Sequence, residues 1–160
     1  MAHYAKLGLD NIVTAVVVVD NINCMTPGGI ESEEIGIAFL TKNHGHDLWR
    51  KCSYNTREGV YYDPETNEPA ADQSKAFRAN YAGTGMYYNS EHDIFHAARP
   101  VDKNQVSCAS WTLNTTTGVW EPPITRPEIT MEQRGDGLTY RWDEAAYQAD
   151  NTEGWVLENW

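Results

Sequence analysis

The residues Ile12-Val13-Thr14-Ala15-Val16-Val17-Val18-Val19 run without a charge, a glycine or a proline. All but Ala15 are β-branched, which stiffens χ1 and favours a pleated strand over a helix. Eight residues are too few to cross a bilayer, and no basic segment precedes them, so the run reads neither as a transmembrane span nor as a signal peptide. A nearly continuous apolar run of this length predicts a strand buried on both faces. Exposed, it would aggregate, so it must be centrally paired or covered. His3 to Leu7 reads as a shorter strand, joined to it through the turn Gly8-Leu9-Asp10-Asn11.

One helix is predicted near residues 32–44. Ser32 suits the N-cap, and Glu33 and Glu34 suit the positive end of the helix dipole. Ile35, Ala38 and Phe39 fall on one face, and Gly45 suits the position after the last turn. Gly36 works against it, by about 1 kcal/mol relative to alanine.

From Trp49 onward the pattern is strands and turns. Trp111-Thr112-Leu113 alternates, Asn114 to Gly118 turns, and Val119-Trp120 returns, which predicts a hairpin with Trp111 and Trp120 as a cross-strand pair. Tyr87-Tyr88-Asn89, Tyr61-Tyr62-Asp63 and Tyr140-Arg141-Trp142-Asp143 repeat the theme, the last with Trp155-Val156-Leu157 returning. Asp63, Asn89, Asn114 and Asp143 stand 26, 25 and 29 residues apart. Each Asx side chain can bond the backbone two residues on and start the turn. The fold class expected is therefore mainly β, antiparallel hairpins with one short helix. At 160 residues the chain reads as a single domain, divisible into an N-terminal segment (residues 1–58) and a hairpin-repeat segment (residues 59–160).

The order of motifs resembles a family of small virion-associated proteins of marine tailed phages, those of cyanobacteria and SAR11-type bacteria above all. The matching residues are Trp49, Ser53, Tyr54 and Asn55; then Asn80, Tyr81, Ala82, Gly83 and Gly85; then Ser110, Trp111, Leu113, Asn114, Trp120, Glu121 and Pro123; then Tyr140, Trp142, Asp143 and Glu144. They cover nearly the whole chain. Arg57 to Phe77 departs from the pattern as an insertion, and the loop from Arg99 to Ser110 replaces a shorter approach. The resemblance implies a structural role in the particle, on the capsid or the tail, and carries over no catalytic residue.

The remaining chemistry is argued from residue types. A formal charge of −11 gives no electrostatic footprint for nucleic acid or an anionic membrane. Cys24, Cys52 and Cys108 are odd in number and lack a CxxC pair, so they read as small buried hydrophobes. His44-x-His46 at a helix end points its imidazoles apart, and reads as solvent-exposed histidine. Asp63-x-Glu65-x-Asn67 imitates a calcium loop but has Glu68 where glycine is needed and Ser74 where glutamate is needed. Glu33/Glu34 and Asp143/Glu144 sit where charge serves a helix start or a turn, so they read as structural and not as catalytic pairs. The expectation is no enzyme, no metal and no cofactor, with a calcium site gathered from several acidic loops left open and a small hydrolase as a distant third reading.

Six tryptophans, nine tyrosines and three phenylalanines remain. They can hold a thin meander together, or stack on the faces of sugars. The core and interface candidates are Trp49, Tyr88, Trp111, Trp120, Tyr140, Trp142 and Trp155. Expected partners are other virion proteins and copies of itself, joined by backbone edges and aromatic patches. A host glycan is the rival partner, and the virion, assembled in the bacterial cytoplasm, is the expected location.

Overall fold

The structure is a computed structural model, and it describes residues 1–159. The fold is mostly β, built from antiparallel hairpins with three short helices. The chain forms two compact units. One comprises Met1–Ala98 with Thr115–Val119; the other comprises Arg99–Asn114 and the chain from Trp120 onward. The chain passes from one unit to the other at Ala98/Arg99, Asn114/Thr115 and Val119/Trp120.

In the first unit, β1 (Ala2–Leu7) lies between β2 (Val13–Val19) and β3 (Trp49–Cys52), antiparallel to both. Ala2 faces Val19, Tyr4 faces Val17, and Lys6 faces Trp49. Core lies on both sides of this sheet. Ala5, Leu7, Val13 and Cys52 join Ala82, Tyr88 and Phe95 on one side. Ala2, Tyr4, Val19 and Trp49 join Cys24 and Leu40 on the other. The doubly buried strand is therefore β1, and the reading of Ile12 to Val19 as buried on both faces is corrected. The β-branched run is an edge strand: Thr14 and Val18 are exposed, and Val16 and Val17 are half-buried. Edge position leaves one side of a strand open however apolar its side chains are.

The predicted helix is α1 (Glu33–His44). Ser32 Oγ accepts from Ile35 N–H, and Gly45 closes the helix in the left-handed region at φ 61°. Short hairpins follow. β4 (Thr56–Arg57) pairs with β5 (Val60–Tyr61), and β6 (Tyr87–Asn89) pairs with β7 (Ile94–His96). Asp63 Oδ1 accepts from Glu65 and Thr66 N–H, and Asn89 Oδ1 accepts from Glu91 and His92 N–H. Both are the Asx turns the repeat implied.

β8 (Thr112–Asn114) and β9 (Val119–Glu121) form the next hairpin. In the second unit, α2 (Met131–Gly135) precedes β10 (Leu138–Trp142), and α3 (Glu144–Ala149) precedes β11 (Trp155–Asn159). β10 and β11 pair antiparallel, with Trp142 opposite Trp155 and Tyr140 opposite Leu157. The expectation of strands and turns alone beyond Trp49 is corrected by α2 and α3. Thr130 and Gln133 form a reciprocal capping box at the start of α2. Asp143 caps α3 by accepting from Ala146 N–H, so its Asx turn opens a helix instead of a plain loop.

Candidate functional site

In the first unit the polar centre is Arg78. Its Nη1 donates to Lys51 O at 2.8 Å and meets Glu33 Oε1 at 3.0 Å, and its Nε meets Asp93 Oδ1 at 2.7 Å. Glu33 stands in the first turn of α1 because Ser32 caps it, and its Oε1 accepts from Lys51 N–H at 2.8 Å. Tyr88 Oη donates to Asp93 Oδ1 at 2.6 Å. Burial disfavours charge on Asp93, but the bonds from Tyr88 and Arg78 hold its carboxyl below the usual range. Helix, sheet and hairpin are thus joined through one guanidinium, a geometry that Arg satisfies and Lys does not. Nearby, Asn80 Nδ2 donates to Phe95 O and Thr117 O while its Oδ1 accepts from Glu58 N–H.

In the second unit two carboxylates do similar work. Asp102 accepts from Asn104, Val106 and Glu144 N–H at 2.7, 2.9 and 3.0 Å. Glu144 accepts from Ser110 N–H and Oγ–H, Trp142 Nε1 and Gln148 Nε2, all within 3.0 Å. Both are buried. Burial works to raise each carboxyl, and the donated hydrogen bonds outweigh it, so both titrate below the usual carboxylate range. These are acceptors locked in place, the opposite of a carboxyl poised near neutrality to exchange protons. Sequence reading placed Glu144 in a turn and missed both Asp102 and Arg78.

Of the aromatic candidates Trp49, Tyr88 and Trp142 are buried, and Trp111, Trp120, Tyr140 and Trp155 are half-buried. Trp49 is fully buried and donates from Nε1 to His46 O at 2.7 Å. Tyr88 is buried beside Phe95, with Arg50 5.0 Å over its ring. Trp142 is buried and carries Trp111 and Trp155 edge-on, with centroids 5.9 and 5.1 Å away. Trp111 is half-buried and contacts these two rings, so the expected Trp111–Trp120 pair is corrected. Trp120 instead lies 4.2 Å under the Arg99 guanidinium, whose Nη1 donates to Trp111 O at 2.7 Å and to Cys108 O at 3.1 Å. Trp155 donates to Ile124 O, and Tyr140 is half-buried in β10. Residues of separate motifs meet: Ser110 bonds Glu144, Trp111 packs on Trp142, and Tyr54 packs on Tyr81.

What faces outward among the large apolar residues described is chiefly aliphatic: Leu9, Met131, Ile22, Ile30, Val18, Val101 and Val106, with Tyr54 the most exposed aromatic at 68%. Tyr54 borders a polar cleft of about 230 Å³, lined also by His3, Glu31, Lys51, Asn55 and Lys75. Lys51 is buried there, paired to Glu31 at 3.0 Å and 4.3 Å from the Phe77 ring centroid.

His3 and Cys52 bring an imidazole and a thiol to the lining of this cleft. The three cysteines are buried and unpaired, and burial pushes Cys52 and Cys108 up to about 11, away from the thiolate a nucleophile needs. His44 and His46 both rest on the Trp49 ring, at 5.5 and 5.6 Å, which corrects their reading as divergent; His44 is exposed as expected, and His46 is half-buried. Among the described residues no three His, Cys, Asp or Glu side chains are grouped to hold a metal, and no helix is long and apolar enough to cross a membrane.

Compared with known proteins, the chain matches no family model, no curated protein and no solved structure.

Proposed function

We propose that this protein is a structural accessory component of a tailed-phage particle, present in many copies on the capsid or the tail. The observation that carries this reading is the convergence of the motifs behind the resemblance. Their residues bond and stack on one another: Ser110 with Glu144, Trp111 with Trp142, Tyr54 with Tyr81. The residues that carry the resemblance therefore pack largely against one another, which supports a structural reading of them. Its exposed apolar residues are left as contact points for neighbours, and single aliphatics such as Leu9, Ile22 and Met131 serve protein contacts better than they serve sugars.

The receptor-binding alternative rests on Tyr54, an exposed ring beside a polar cleft that contains Lys51, Glu31 and Asn55. One paired assay separates the readings. Purified protein is added to virions that lack it, and in parallel to a host-glycan array. Saturable rebinding at many sites per particle, with no glycan signal, supports the structural role. Glycan binding that Tyr54→Ala abolishes, with no rebinding to particles, overturns it.

A further inference from the structure

β2 is bonded to β1 on one side only. Its other side is covered at one end, where Val13 N–H donates to Met86 O, Val13 O accepts from Gly85 N–H, and Ile12 bridges to Tyr87. Successive residues of an antiparallel strand direct their backbone groups alternately to the two sides. Leu7 N–H points away from β2, to Leu48 O. The β1 residues that bond β2 are therefore Lys6, Tyr4 and Ala2, and their partners Ala15, Val17 and Val19 point inward. Val16 and Val18 point outward, and among the described residues no backbone group bonds them on that side.

Edge strands usually defend themselves with a lysine, a proline or a bulge. The irregularity in this ladder lies at Lys6/Leu7, at the covered end. From Ala15 to Val19 the strand is regular, uncharged and free of proline. Val18 is 53% exposed.

We infer that Ala15–Val19 is a self-association edge, at which two copies pair antiparallel about a two-fold axis through Val17. That axis sets Val16 against Val18 of the second copy, and Val18 against its Val16. Each pair exchanges two backbone hydrogen bonds, so every outward N–H and C=O of Val16 and Val18 is used. An axis midway between two residues sets outward groups against inward ones. An axis at Val18 calls on Asp20 O, which already accepts from Asn23 N–H at 2.9 Å. An axis at Val16 drives the second copy into the segment that covers Val13.

A second copy is an occupant that this segment admits without setting like charges against each other. Two chains of net charge −11 repel except where carboxylates are absent, and Ile12 to Val19 carries none. About this axis Asp20 stands across from Thr14 of the partner copy, so no two acids oppose each other. The contact is isologous and needs this one segment alone. Valine pairs across strands also bury the exposed Val18 against a β-branched neighbour. Two strands of this length bury less than the roughly 1,200 Å² of a stable complex, so the free dimer is weak and is reinforced where copies are held close together. The inference goes beyond the virion reading and is tested on the free protein, so either can fail alone.

The axis puts the two Val17 residues at a non-hydrogen-bonded position, with Cα atoms about 4.5 Å apart. That is within reach of a disulfide. Under mild oxidation Val17→Cys is expected to give a covalent dimer at least tenfold faster than Ala15→Cys, which lies off the axis. The native thiols are buried and do not compete. Separately, Val18→Lys is expected to lower the association constant from sedimentation equilibrium at least tenfold, with the melting temperature little changed. Equal crosslinking of the two cysteine variants overturns the inference. So does a wild-type protein that stays monomeric up to about 1 mM, the weakest affinity such a small contact would give.

Discussion

Tyr4 lies with its phenol ring against Gly36, and a Cβ on residue 36 would overlap that hydroxyl. The glycine that weakens α1 is the one that lets the helix settle on the sheet. Tyr4 is fully buried, and its hydroxyl has no hydrogen-bond partner.

Gly36→Ala should therefore destabilise the protein although alanine is the better helix former. The helix gains about 1 kcal/mol, while the overlap costs roughly 1–3 kcal/mol or more. Tyr4→Phe removes an unsatisfied polar group and should be neutral or stabilising. The double variant should be more stable than the sum of the two singles, because the nearest of the clashing atoms is gone, although the ring carbon Cζ still crowds the new Cβ. Thermal melts of the four proteins check this; additive effects would mean that the ring and the helix do not meet.

Arg78→Ala should cost about 1.5–3 kcal/mol in urea unfolding, since Glu33 and the Lys51 carbonyl lose a charge-assisted donor while the more exposed Asp93 turns to water. Arg78→Lys should recover little, because one ammonium cannot span three acceptors in different directions.

Acid should weaken both units. Asp93, Asp102 and Glu144 have carboxyls below their usual range in the folded chain. The unfolded chain then binds more protons than the folded one in acid, so stability rises with pH there. These contributions are complete above about pH 5, start to fall as pH drops through the ordinary carboxylate range near 4, and are lost below the folded values. Glu144→Gln should flatten the acid limb of a melting-temperature profile and lower its plateau at neutral pH, since an amide cannot accept all four donors.

Trp111→Ala should cost about 3–5 kcal/mol through lost contact with Trp142 and Trp155. Trp111→Phe should cost much less, because Trp111 Nε1 is buried without a partner and its removal relieves that loss. Unfolding followed by tryptophan fluorescence gives both values. Equal losses would mean that the indole nitrogen is bonded in solution.

Local signals and long-range ones were unequally legible. Ser32, Glu33 and Gly45 announced α1 because capping is settled within a few residues. The return of Trp155-Val156-Leu157 onto the Tyr140 segment followed from their matching apolar patterns, but its register, with Trp142 opposite Trp155, did not. Apolar content alone could not tell an edge strand from a central one, so β2 was misplaced: only the arrival of Trp49–Cys52 on the far side of β1 decides which strand is central. Thr130 and Gln133 spelled a capping box within a proline-rich stretch that otherwise read as connector. Arg78 carried no mark at all. Its partners lie 45, 27 and 15 residues away, and its positive φ of 55° is not written in its side chain.

The Arg78 junction also sets an order of events during synthesis. β1 and β2 are close in sequence and can pair as soon as both have left the ribosome, at a small loop-closure cost. The helix and β3 come next, but Glu33 and the Lys51 carbonyl then wait for a guanidinium that emerges 27 residues after Lys51, and that guanidinium waits for Asp93. During that interval the valine edge is the most sheet-like surface the nascent chain displays. Fast translation through residues 52–93 would shorten the window in which two growing chains on one message could pair through it.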